Sequence, residues 1–333
     1  QVPDSAAAAI PRVKRGAAAV TDTTPVDRAA EPPLVPPRAT VAARSPALPL
    51  RTTVRVPVMP RLGEAGPVPA SGRIVFDRDS LEWVNAETVS DLIARIPGTY
   101  LWRGGRLGRP EPANFQGRGT ASAAYMLDGM PFVAVGPDSL AVDPALFSLN
   151  LLDRVEVERW PGRLEVRLYT RQHDRLAPRS RIAIGTGSDR LAMYAGDLEE
   201  RSRTGMGFVA AGDYLRAPAS GAATGDVSVS HLWIQGSYVP SPRLGLQYQL
   251  IRSSDNRDAF GGGAGGIGSA REGKRTDAQF RASFGQRADG FGPRLDLVYT
   301  RTGWDSAGIM QQVNQLGGMV SARTGTLAAG ASA

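Results

Sequence analysis

The sequence predicts an α+β domain followed by the antiparallel, all-β strands of an incomplete transmembrane β-barrel, the whole preceded by a disordered N-terminal arm. Three observations carry this reading. Thirteen of the 25 prolines fall within the first 70 residues, where lost backbone donors and the restricted residue before each proline oppose a packed core. Residues 85–98 pair a helical apolar face with a Pro-Gly stop. From Arg179 onward the apolar residues alternate with period two, the signature of strands with two unlike faces.

Composition excludes several functions. The chain of 333 residues has 42% hydrophobic content, enough for a sizeable core. It has no cysteine, which removes disulfides, thiolate nucleophiles and Cys-ligated metals, and its two histidines, His173 and His231, form no sequence cluster for zinc or haem. No cofactor and no catalytic constellation is expected. All but Lys14 and Lys274 of the 39 basic residues are arginine, and they are spread along the chain; without a dense basic block, nucleic acid is not an expected partner. No run of about 18 apolar residues is present. A β-barrel crosses a membrane with short alternating strands instead.

Residues 1–70 read as a disordered, semi-extended arm. Residues 71–172 read as the compact domain. Arg73 to Phe76 is a short strand, and Asp79 or Ser80 is placed to cap a following turn. In NAETVSDLIARIPG, Asn85 is the expected N-cap, Val89, Leu92, Ile93 and Ile96 form one apolar face, and Pro97-Gly98 stops the helix. In AYMLDGMPF, Asp128-Gly129 supplies the positive φ angles of a tight type I′ hairpin. LLDRVEVERWPG sets Val155 and Val157 on one strand face and Glu156 and Glu158 on the other. LEVRLYTR repeats the pattern, with residues 160–163 as the turn between them. Both read as ordinary half-buried strands.

Residues 173–333 read as about eight barrel strands. Seven can be placed, near 180–187, 190–199, 204–215, 226–238, 243–253, 275–287 and 293–304. DAQFRASF and RLGLQYQL show the alternation most cleanly. Alternation alone fits a soluble β-sandwich as well as a membrane barrel; strands of ten or more residues favour the barrel, because globular strands average about five or six.

The ordered run TVSDLIARIPG, FQGRG, AYMLDGMPF, LLDRVEVERWPG and LEVRLYTR resembles the plug domain of TonB-dependent outer-membrane receptors. The matching positions are Pro97-Gly98, Arg118-Gly119, Leu127-Asp128-Gly129 and Val155-Glu156-Val157 with Arg159. The resemblance implies that Arg118 and Arg159 face carboxylates on the barrel wall. Such pairs can register plug against barrel and act as a switch. Trp160 interrupts the Arg-Gly-Pro of the family pattern, and a tight turn replaces the segment that usually follows. By the same resemblance, residues 22–26 (DTTPV) and 52–58 (TTVRVPV) are similar to the box that contacts TonB.

The resemblance also implies an outward loop that meets ligand. Residues 101–112 offer Trp102, Arg103, Arg106 and Arg109, a set that suits an anionic ligand. The implied partners are a TonB-type energy-coupling protein, outer-membrane lipid and a small-molecule or glycan ligand of the siderophore, vitamin or glycan class. The implied location is the outer membrane of a Gram-negative-type bacterium. A plug needs a barrel of about 22 strands around it, and an eight-stranded barrel is filled by its own side chains; the chain is therefore expected to be the N-terminal part of a longer receptor. The alternative is a non-transporting, β-rich envelope protein that keeps a plug-like domain. Gly263, Gly265 and Gly268 match a dinucleotide fingerprint only formally, without the flanking strand and helix. Asp255, Asn256 and Asp258 are too few for a calcium loop.

Overall fold

The computed structural model describes residues 54–62, 69–102, 111–136, 141–187, 191–218, 226–257, 271–285, 292–306, 308–324 and 327–332. The residue 22–26 motif lies outside them.

The small domain is built on strands β1 (Arg73–Asp77), β2 (Thr99–Leu101), β3 (Ala113–Phe115), β4 (Ala123–Leu127), β5 (Met130–Pro131), β6 (Leu152–Trp160) and β7 (Arg163–Thr170), with helices α1 (Arg78–Trp83) and α2 (Val89–Ile93). Five strands form one sheet in the order β1-β6-β7-β4-β5, and β2 pairs with β3 separately. The β4–β7 pair is parallel; the other pairings of the sheet are antiparallel. Val89, Leu92 and Ile93 of α2 pack on Val155, Val157, Leu164, Val166 and Leu168, all fully buried.

Both helix caps differ from expectation. Asp77 caps α1, accepting from the Ser80 amide at 2.9 Å. Thr88, not Asn85, caps α2, and Asp91 reaches back to the Thr88 amide at 3.2 Å. Asn85 lost because the backbone enters the helix three residues later, where an Asp at the third helical position closes the reciprocal cap. Helix α2 ends at Ile93, and single turns carry the chain on to Gly98 (φ 87°). The Asp-Gly hairpin is as expected, with φ 46° at Asp128 and 84° at Gly129.

Glu156 and Glu158 depart most from a half-buried strand, since both are 0% exposed. Arg73 pairs with Glu158 at 2.6 Å and Arg154 with Glu156 at 2.6 Å, while the Trp160 indole donates to Glu158 at 3.1 Å. The second face of this sheet is a layer of Arg–Glu pairs.

The rest is one antiparallel meander of nine strands: β8 (Arg179–Thr186), β9 (Ala192–Arg201), β10 (Met206–Pro218), β11 (Asp226–Ser241), β12 (Leu244–Arg257), β13 (Arg271–Phe284), β14 (Gly292–Ser306), β15 (Ile309–Thr324) and β16 (Leu327–Ser332). Each pairs only with its sequence neighbours, so this wall is not closed. Strands β10 to β15 run 13 to 16 residues, longer than the roughly 9–11 that cross a membrane. Among the described residues no helix is long and apolar enough to do so. Sequence alternation missed β15 and β16; Gln311, Gln312, Gly317 and Gly318 break the apolar period in the first.

Residues 54–62 correct the expected disordered arm. They run along the wall, with Met59 and Leu62 each 2% exposed. Main-chain carbonyls hold them: Pro57 accepts from Arg201, Pro60 from Arg281, and Arg61 from Arg294 at 3.1 Å. Val56 donates its amide to the Asp174 carbonyl at 2.8 Å. Proline-rich sequence cannot pair its own backbone, so arginines of the wall satisfy its carbonyls.

Candidate functional site

The wall presents polar residues to the small domain and apolar residues away from it. Asp197, Glu199, His231, Gln249, Arg275, Gln279, Arg281 and Asp296 are buried, whereas Ile184, Leu198, Phe208, Leu232, Tyr248, Phe280, Leu297 and Tyr299 are exposed. A soluble barrel or sandwich does the reverse. An exposed apolar outer band with a polar interior is what lipid outside and hydrated protein inside require.

The polar seam between small domain and wall falls into two parts. Consecutive strands meet at one end through tight turns, as at Ser202 to Gly205, and at the other through longer connections such as residues 258–270. Near the tight turns, fully buried Glu199 of β9 accepts from both Arg78 terminal nitrogens, from Arg171 at 3.2 Å and from His173 Nδ1 at 3.1 Å. Arg171 also pairs with Asp197 at 2.8 Å, and His173 Nε2 lies 2.6 Å from the Ala177 carbonyl. Burial alone would lower the Arg78 pKa; the Glu199 contact, with the charges of Asp153 and Asp197, raises it on balance.

Further contacts tie the hairpin to the wall. Asp128 accepts from the Thr170 amide at 3.0 Å, the Thr170 hydroxyl at 2.7 Å and Gln249 Nε2 of β12 at 2.9 Å. Within the wall, Arg281 of β13 pairs with Asp296 of β14 at 2.9 Å. Arg275 donates to the Val133 carbonyl at 2.8 Å, and its guanidinium stacks 3.6 Å from the Phe132 ring centre.

Toward the longer connections the seam opens into a cavity of about 520 Å³ between residues 86–91 and 143–150 of the small domain and strands β8 to β12. Apolar side chains such as Leu149 and Leu215 share its lining with acids and with His231. His231 Nδ1 lies 2.7 Å from Asp213 Oδ1. Among the described residues, no group of His, Cys, Asp and Glu is arranged to hold a metal ion.

Residues 69–165 match the family model described as the TonB-dependent Receptor Plug Domain. This segment is a plug domain. The fold of the described residues is that of solved TonB-dependent receptors, a plug followed by an unclosed antiparallel wall. The chain is similar to P. aeruginosa FpvA bound to a heterologous pyoverdine and iron (TM-score 0.60, 14% identity, 84% of this chain and 43% of that one). It is also similar to the copper transporter OprC (0.59, 14%, 78% and 46%) and the ferric citrate transporter FecA in unliganded form (0.55, 17%, 77% and 45%). The chain thus spans less than half the length of these solved receptors. No curated protein matches it.

The wall contact expected of Arg118 and Arg159 is not made with the strands described. The Arg118 guanidinium covers the β6–β7 turn, where a Cβ on Gly162 would approach it to 2.6 Å. Arg159 lies near the end of β6, and its carbonyl accepts from Ser71 at 2.8 Å. Among the described residues neither faces a carboxylate of the nine strands present. Arg78 and Arg171 do face such carboxylates, Glu199 and Asp197 of β9. Sequence reading missed them because nothing local distinguishes them from solvated arginines. Charged residues repeating at every second position, as at Asp197, Glu199 and Arg201, were the available signal for the inward face. Trp102 is 68% exposed, with its amide bound to the Pro112 carbonyl at 3.0 Å. Arg103, Arg106 and Arg109 lie outside the described residues. Gly98, Gly119, Asp128 and Gly129 hold the positive-φ turns of the plug, Pro97 precedes the first of these, and Glu156 sits in the Arg–Glu layer.

Proposed function

We propose that this chain is the plug and leading wall strands of an outer-membrane receptor that takes up a scarce solute, energised from the periplasm through a TonB-type protein. The observation that carries this is the seam itself. A plug is held inside a lipid-facing wall by buried polar and ionic contacts, and such contacts can exchange partners where an apolar interface would have to be dewetted and rebuilt. The solved receptors of similar fold are, by their descriptions, bound to a pyoverdine with iron or are transporters of copper and ferric citrate. A metal ion or its chelate is therefore the leading solute class for this chain, with vitamins and glycans as alternatives. Trp102, Arg103, Arg106 and Arg109 are proposed to meet an anionic chelate. Val54 to Val58, extended against Asp174 and Arg175, belong to the segment proposed to reach TonB.

The test is a pull-down of the full chain with the periplasmic domain of TonB, with and without residues 52–58, alongside growth of a deletion strain on limiting iron, vitamin B12 or glycans. Binding that depends on residues 52–58 and a growth defect on one nutrient are expected. No TonB binding and no growth defect would favour a non-transporting envelope protein, a reading that the tight turn at residues 160–163 supports.

A further inference from the structure

The cavity at the open end of the seam has a charge pattern that the rest of the interface lacks. The arginines that line it are already engaged: Arg78 by Glu199, Arg171 by Asp197 and Arg181 by Glu82 at 3.6 Å. Glu87 on the plug side forms no ion pair among the described residues, and the charge of Arg181, itself paired with Glu82, only partly offsets its acidic neighbours. Burial, then the charges of Asp91 and Asp213, push its carboxyl pKa up. Asp213 and His231 stand across from it on the wall.

His231 supplies a second, independent observation. Its side chain is 4% exposed, Nδ1 is taken up by Asp213, and Nε2 has no partner among the described residues. Asp213 Oδ2 is likewise buried and, among the described residues, unpartnered. In the neutral tautomer that donates Nδ1–H to the carboxylate, Nε2 is an acceptor. A buried acceptor without a donor is costly. Here two such acceptors border a cavity whose volume of about 520 Å³ is that of a small-molecule site.

We propose that this cavity binds the ammonium or guanidinium end of a small amphipathic solute. Glu87 and Asp213 flank the cation, His231 Nε2 accepts one of its N–H bonds, and Leu149 and Leu215 cover its apolar body. The inference rests on the receptor reading above and names a solute chemistry for it that is distinct from the anionic class suited to arginines.

Calorimetry on the full chain in detergent tests it with three matched probes: phenethylamine, 2-phenylethanol and 3-phenylpropionate. The amine is expected to bind, the alcohol to bind at least about tenfold more weakly, as loss of a charge-assisted contact predicts, and the acid not at all. Asp213→Asn should weaken amine binding by about tenfold or more. Because that change could disturb the wall, Glu87→Gln on the exposed plug side is the second variant. It should weaken the amine while leaving heat-modifiable migration on gels unchanged. Equal binding of alcohol and amine, preference for the acid, or unchanged amine affinity in both variants overturns the proposal. TonB binding without amine binding would sink the cavity site alone. Amine binding without TonB binding would sink the transport reading and leave the site standing.

Discussion

At the tight-turn end of the seam Glu199 is surrounded by Arg78, Arg171 and His173, whereas at the open end Glu87 and Asp213 line a cavity together. The two ends use the same kinds of residue with opposite outcomes. Closed pairing fixes the plug against the wall, because a buried charge released from its partners has nowhere to be solvated. At the open end the acids are matched only in part, Asp213 by His231 at 2.7 Å and Glu87 by no ion pair among the described residues. A seam built this way is firm where the arm and plug meet the wall and receptive where the cavity lies.

The largest expected effect tests the closed end. Glu199→Ala strips one carboxylate from two buried arginines and His173 and should destabilise the protein by about 3–5 kcal/mol, read from denaturant unfolding in detergent. A loss below about 1 kcal/mol, the level of a surface pair, would erase the contrast between the ends. Next comes Gly129→Ala. Its Cβ would fall 2.5 Å from the Leu62 Cβ at φ 84°, so a cost of about 1–3 kcal/mol is expected, together with faster proteolysis after Leu62 as the arm is displaced. Wild-type protection there would show that Leu62 yields easily.

Arg179→Ala removes an exposed bridge to Glu82 at 2.6 Å and should cost less than about 1 kcal/mol, which makes it the control for charge removal outside the buried seam. Glu87→Gln should have the smallest effect and the opposite sign. A carboxyl whose folded pKa is raised stabilises below its ordinary range, and that contribution is lost as pH rises through the folded value. The variant should therefore gain up to about 0.5 kcal/mol at neutral pH, with the difference vanishing below about pH 4. A destabilised Glu87→Gln would mean that the acid already has a partner and that the open end resembles the closed one.

Local sequence determined much of the framework. The Asp128-Gly129 turn needs two positive φ angles, and that residue pair supplies them cheaply. The apolar stripe of Val89, Leu92 and Ile93 found its core as expected, and long alternating strands gave the meander. Where alternation failed, at Gln311, Gln312, Gly317 and Gly318, two strands of the wall were missed; their pairing is set by neighbours rather than by their own pattern.

Tertiary structure decided the rest. Period two says that a strand has two unlike faces, but not which faces lipid and which faces protein. Only the seated plug shows that Glu199 and Arg281 point inward while Phe280 and Tyr299 point outward. The partners of Glu199 come from Arg78, 121 residues away, and from Arg171; such pairing leaves no trace in local spacing. The same holds for the Glu156 and Glu158 layer, which reads as a solvated strand face until Arg73 and Arg154 cover it. It holds again for residues 54–62, whose prolines forbid local pairing and whose carbonyls are met by arginines well over a hundred residues away in sequence. Backbone geometry is local and can be read from the chain, while the environment of a buried charge is assembled from distant segments and exists only in the fold.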